Sequence, residues 1–214
     1  MIAGFVLANA AILLVAGLVL LNRPASPPSI QGVLLPDARD IPPFSLLDQY
    51  NRSFTNKDLL GQWHLISYGF TTCPDICPTT LSQLAQLNTL LKKDGEQLGI
   101  LFYSVDHARD TPAILATYMP FFDPAFIGLT HVDNNGEQHL PFEQGLGIVA
   151  QLIPDEEEPE SQSYQVVHGV TLFLLNPQGQ LQAILKPGSD RQGNKSFDAQ
   201  RIYQDFLLIR AYFR

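Results

Sequence analysis

Cys73 and Cys77 are the only cysteines in the chain, and three residues separate them. Thiols at i and i+4 come within reach of a disulfide, whose Cα atoms lie roughly 4.4–6.8 Å apart. The same spacing lets two thiolates hold one soft metal ion. Each cysteine precedes a proline, Pro74 and Pro78. Pro74 drives Cys73 toward an extended backbone. Pro78 suits the first helical position, which makes Cys77 the expected N-cap. A thiol at a helix N-terminus feels the positive end of the dipole and ionises more easily. Two cysteines are too few for the disulfide scaffold of a small secreted domain. They point to one redox or metal site.

Two elements must position this pair. The apolar run 63–68 before it, Trp-His-Leu-Ile-Ser-Tyr, predicts a buried strand. After it, Leu81, Leu84, Leu87, Leu90 and Leu91 recur at helical spacing on one face. The cysteines therefore sit at a strand-to-helix turn.

Residues 68–78 read YGFTTCPDICP. This run resembles the signature of the Sco/SenC proteins, copper chaperones of cytochrome c oxidase assembly, and the resemblance extends over about residues 40–210. It implies a thioredoxin-like fold and copper as the bound metal, Cu(I) or Cu(II) or both. It also implies a third ligand, His168, in Val167-His168-Gly169 ahead of the run LFLLNPQGQL. Gly169 stands where the family usually has serine.

The rest of the chain fits that frame. A net charge of −8 argues against nucleic acid, which needs a basic footprint. Residues 2–21 carry no charge and are long enough for about 30 Å of hydrocarbon. No basic n-region and no small-residue cleavage site accompany them, so they predict an uncleaved anchor, not a signal peptide. Arg23 alone would keep the domain in the cytoplasm; the family resemblance implies the non-cytoplasmic side. The expected organisation is an anchor over 1–22, a proline-rich tether over 23–36 and one domain over 37–214.

Within that domain the pattern predicts strands near 41–47, 98–105, 126–129, 148–153 and 170–175, with 126–129 at an edge. A hairpin turns at Asn176-Pro177-Gln178-Gly179 and returns over 180–185. Thr111 and Pro112 start a second helix, residues 140–144 form a helical turn, and residues 197–212 form the last helix. The acidic run 155–160 reads as a solvated loop. Strand, helix, strand, helix, hairpin, helix is a thioredoxin-like mixed sheet with helices on both faces, here preceded by one transmembrane helix.

Of the other histidines, His64 lies in a strand and reads as structural, and His131 and His139 lie in polar loop sequence. His107 stands beside Asp106, close to the end of a central strand, and reads as a surface group or a secondary ligand. Asp106 itself sits where ligand sites gather in open α/β sheets, and Asp110 reads as helix N-terminal chemistry. Cys73, Cys77 and His168 would give copper two thiolates and an imidazole. Structural zinc normally takes four protein ligands. Two functions follow. One is a metallochaperone that delivers copper to the binuclear copper centre of cytochrome c oxidase, with the copper-centre subunit as partner. The other is a thiol-disulfide oxidoreductase, with Cys73 and Cys77 as its reactive pair, that reduces the cysteines of that partner.

Overall fold

The computed structural model describes residues 9, 13, 14, 17, 26–131, 137–154, 164–189, 193 and 195–213. The anchor expected over residues 2–21 falls almost wholly outside them. Among the described residues no helix is long and apolar enough to cross a membrane.

The centre of the fold is β4 (His64–Gly69), buried at every position. It runs parallel to β5 (Gly99–Ser104), and β5 runs parallel to β6 (Ile127–Thr130). On the other side of β4 lies the antiparallel hairpin of β9 (Leu172–Leu175) and β10 (Leu181–Leu185). With β1 (Gly32–Arg39), β2 (Ser45–Asp48) and β3 (Ser53–Thr55), the sheet has eight strands in the order β1-β10-β9-β4-β5-β6-β2-β3. Because strand side chains alternate between faces, the neighbours Leu65 and Ile66 serve two separate cores, as do Phe102 and Leu101.

On one face pack α1 (Ile76–Lys93), α2 (Pro112–Tyr118) and α4 (Ala199–Tyr212). Leu81, Leu84, Leu87 and Leu91 of α1 are fully buried there, while Leu90 is only partly covered. Each buried leucine contributes roughly 1.5–3 kcal/mol. The other face is covered by α3 (Leu140–Leu146), whose Phe142 and Leu146 meet Ile66, Leu101 and Tyr103. This is the expected thioredoxin-like mixed sheet with helices on both faces.

Three features differ from expectation. β6 is not an edge strand, because β2 pairs with its outer side. β1 begins inside the stretch read as a tether and pairs with β10. A two-stranded ribbon, β7 (Ala150–Pro154) with β8 (Tyr164–His168), stands apart from the main sheet.

Candidate metal and thiol site

β4 ends at Gly69, and α1 begins at Ile76. Cys73 lies in the intervening turn, its N–H donating to the Phe70 carbonyl at 3.3 Å. Cys77 is the second residue of α1 and not its N-cap; Asp75 occupies that position. Pro78 is thus third in the helix, still within the first turn, where no intrahelical partner awaits the missing N–H. Both cysteines are free thiols and both are buried. Burial pushes the Cys77 thiol well above its ordinary value, and the Cys73 thiol adds to the rise, while the Phe70 backbone works against it. For Cys77 desolvation therefore outweighs the helix dipole, contrary to the easier ionisation that its position suggests.

Gly69 makes room for the sulfur. A Cβ at residue 69 would lie 2.4 Å from Cys77 Sγ, so only glycine lets the thiol rest against the strand end.

His168 closes β8 and comes to the same place. Its Nε2 lies 3.9 Å from Cys77 Sγ. Its Nδ1 lies 2.7 Å from the Gly169 carbonyl oxygen, which can only accept, so Nδ1 carries the proton. The Nε2 lone pair then faces the thiol. Tyr68 and Phe70 flank the imidazole, with ring centres 5.4 and 5.8 Å away. Gly169, the departure from the family's serine, has a local reason: a Cβ there would meet Tyr68 Oη at 2.8 Å. A cavity of about 10 Å³, lined by Tyr68, Ile76, Cys77, His168 and Val170 among others, adjoins the pair. It is the size of a single water.

Asp110 and Asp106 hold these parts in place. Asp110 is fully buried and accepts from Thr71 N–H at 2.8 Å, Thr71 Oγ1 at 2.5 Å and Ser104 Oγ at 2.6 Å. It pins the cysteine turn to the end of β5. It does this in place of the helix N-terminal role read for it, while Thr111 caps α2 as its sequence implies. Asp106, also fully buried, accepts from Arg109 Nε and from the Tyr164 hydroxyl, and the Arg109 guanidinium lies 4.1 Å from the Tyr164 ring centre. It fastens the start of β8, the strand that delivers His168. Sequence gives no signal for Tyr164, because its partner lies 58 residues away.

The remaining histidines lie elsewhere. His64 is buried in β4 with Gln62 beside its Nε2. His107, His131 and His139 gather into one stack: the His131 ring centre lies 3.9 Å from that of His107 and 3.5 Å from that of His139.

Bonds of about 2.3 Å to sulfur and about 2.0 Å to nitrogen, opened to about 120°, put two ligands of one ion roughly 3.8 Å apart. The Cys77–His168 separation matches this. Among the described residues no group of three His, Cys, Asp or Glu is already arranged to hold an ion. The same two thiols can instead join in a disulfide.

A thioredoxin-like sheet bearing a Cys-x-x-x-Cys turn beside a histidine defines a thiol-based metal-binding or redox protein. The SCO1/SenC family model matches residues 35–196, and the chain belongs to that family. It is 39% identical over 155 residues to a "Putative copper-binding protein" of Stutzerimonas stutzeri, covering 72% of each chain. It is 37% identical over 164 residues to the mitochondrial protein SCO1 of Saccharomyces cerevisiae, covering 74% of this chain and only 49% of the yeast protein. The crystal structure of yeast Sco1 with copper bound matches with a TM-score of 0.64 at 34% identity, over 80% of this chain and 87% of that one. The solution structure of apo Sco1 from Thermus thermophilus matches with a TM-score of 0.68 at 27% identity, over 86% and 96%.

Proposed function

We propose that this protein is a copper metallochaperone that carries copper on Cys73, Cys77 and His168 and delivers it to the binuclear copper centre of cytochrome c oxidase. The observation that carries the reading is the approach of His168 Nε2 to Cys77 Sγ at 3.9 Å, with the proton held on Nδ1. Two thiolates select Cu(I), and the imidazole extends the site to Cu(II). Three protein ligands leave a position that a partner thiol can enter to withdraw the cargo. The thiols must be reduced and deprotonated for loading. The copper bound in the crystal structure of yeast Sco1 supports the metal assignment.

In this reading residues 1–22 are the anchor, the stretch after it leads into a domain that β1 extends back to Gly32, and that domain works on the non-cytoplasmic side. Removing residues 1–22 is expected to shift the chain from membrane to soluble fractions; retention in the membrane would exclude this arrangement.

A second reading is favoured by two free thiols on one strand-to-helix turn: a thiol-disulfide oxidoreductase that reduces the cysteines of the same oxidase subunit. Anaerobic copper titration of reduced protein, run beside an insulin-reduction assay, separates the two. Tight one-to-one copper with negligible turnover selects the chaperone, and turnover without tight copper selects the reductase. X-ray absorption of the loaded protein counts its sulfur and nitrogen neighbours.

A further inference from the structure

Tyr118 is the last residue of α2, and its hydroxyl is buried with no hydrogen-bond partner among the described residues. A buried O–H without an acceptor is costly, and native structures rarely leave one without a reason. Burial raises the pKa of this hydroxyl, and Cys77, Cys73 and Asp110 raise it further, in that order. The group therefore keeps its proton and is available as a donor.

Its direction follows from the helix. α2 starts next to Asp110, which pins the cysteine turn, and helical side chains lean toward the helix N-terminus. The Tyr118 ring packs 6.1 Å from that of Phe102, centre to centre, on the face of the sheet that α1 covers. A Cβ at residue 69 would meet both Cys77 Sγ, at 2.4 Å, and Phe102 Cε2, at 3.5 Å. The ring that Tyr118 packs against thus shares a corner with the Cys77 sulfur. Asp110 already accepts three hydrogen bonds, from Thr71 and Ser104. The sulfurs remain. As free thiols they are weak acceptors. A thiolate is a strong one.

We infer that the Tyr118 hydroxyl donates a hydrogen bond to the Cys77 sulfur once that thiol has lost its proton. The bond supports the thiolate whether it holds a metal or attacks a disulfide, and the inference rests on Cys77 working as a thiolate, which both readings above require. Tyr118 is then to sulfur what the outer partners of a metal-ligating imidazole are to nitrogen. With the thiols protonated and metal-free, the hydroxyl waits unpaired, and loading the site satisfies it.

The test compares the reduced full-length chain, in detergent, with its Tyr118→Phe variant, and the probe is Cd(II). Reduced thiol pairs take up this soft ion whether or not copper is the cargo, so the result stands apart from the copper titration. Cd(II) affinity should fall about tenfold in the variant, at the lower end of the range for lost outer partners. The thiolate-to-metal charge-transfer band should move to longer wavelength, because a donor that lowers the energy of the sulfur lone pairs is gone. Metal-free Tyr118→Phe should unfold at the same temperature as the parent or a higher one, since it loses an unpaired buried hydroxyl. Tyr203→Phe is the control: its hydroxyl donates to Asp94 at the other end of α1, and it should leave both the affinity and the band unchanged. Equal Cd(II) affinity and an unmoved band in Tyr118→Phe overturn the proposal. So does a metal-free variant less stable than the parent, which would mean that the hydroxyl already has its partner.

Discussion

Cys77 Sγ and His168 Nε2 lie 3.9 Å apart although 91 residues separate them in the chain. Replacing His168 by alanine keeps both thiols and removes the imidazole nitrogen that faces Cys77. Cu(I), content with two sulfurs, should bind more weakly but survive. Cu(II) should lose at least about a hundredfold, about 2.8 kcal/mol. Paired titrations with the two copper ions check this, and unchanged Cu(II) affinity would remove His168 from the ligand set.

Asp110 accepts three hydrogen bonds while fully buried. Asp110→Ala leaves Thr71 and Ser104 donors without their acceptor, and should cost about 2–4 kcal/mol in denaturant unfolding. Asp110→Asn keeps the shape and part of the bonding, and should fall between the variant and the parent. Equal stability of Asp110→Ala and parent would show that the clamp contributes nothing.

Gly69→Ala drives a methyl group against the Cys77 sulfur. Overpacking of this kind costs about 1–3 kcal/mol. It should also displace a ligand and lower copper affinity, whereas Gly95→Ala, far from the thiols and with open space around it but at a positive φ, should lower stability alone. Calorimetry of both variants with copper separates the two effects.

Burial lowers the His64 pKa to about 4 from an ordinary 6.5. The unfolded chain takes up its proton as pH falls through 6.5; the folded chain does so only near 4. Stability should therefore be full above 6.5, decline between 6.5 and 4, and level off below, a loss of at most about 3 kcal/mol from this group. Denaturation midpoints across that window, in the parent and in His64→Gln, should show the slope shrinking in the variant.

The raised Cys77 pKa sets the direction of pH dependence in loading. At neutral pH the thiol holds its proton, and copper must displace it. Affinity should rise about tenfold per pH unit for this proton, and Cys77 should alkylate slowly at neutral pH in the metal-free protein. A flat affinity between pH 6 and 8 would contradict this.

What was legible in the sequence was what is local. The cysteine turn, the leucine face of α1, the Thr111 cap and the Asn176 turn all rest on neighbours a few residues apart, and each lies where its pattern implied. The position of β6 was missed because its second partner, β2, lies about 80 residues earlier in the chain. β1 was hidden by the prolines around it, since nothing nearby reveals that β10 will supply its bonds. His168 stood out only through the family resemblance, and the short alternating strand that carries it gave no sign of its own. The roles of Asp106 and Asp110 exist only once Tyr164 and Thr71 have been brought to them.

The two sides of the site differ in what holds them. The thiols leave the end of a fully buried strand, whereas His168 ends a two-stranded ribbon whose residues are partly buried or exposed, none of them fully buried. One jaw is thus set in the body of the molecule and the other is hung on a strap, fastened at its far end by Tyr164 to Asp106. Swinging the strap outward lifts Ala150 and Val166 off the second core and leaves the first core in place. The imidazole can let go first, in a motion that leaves the sulfurs where they were.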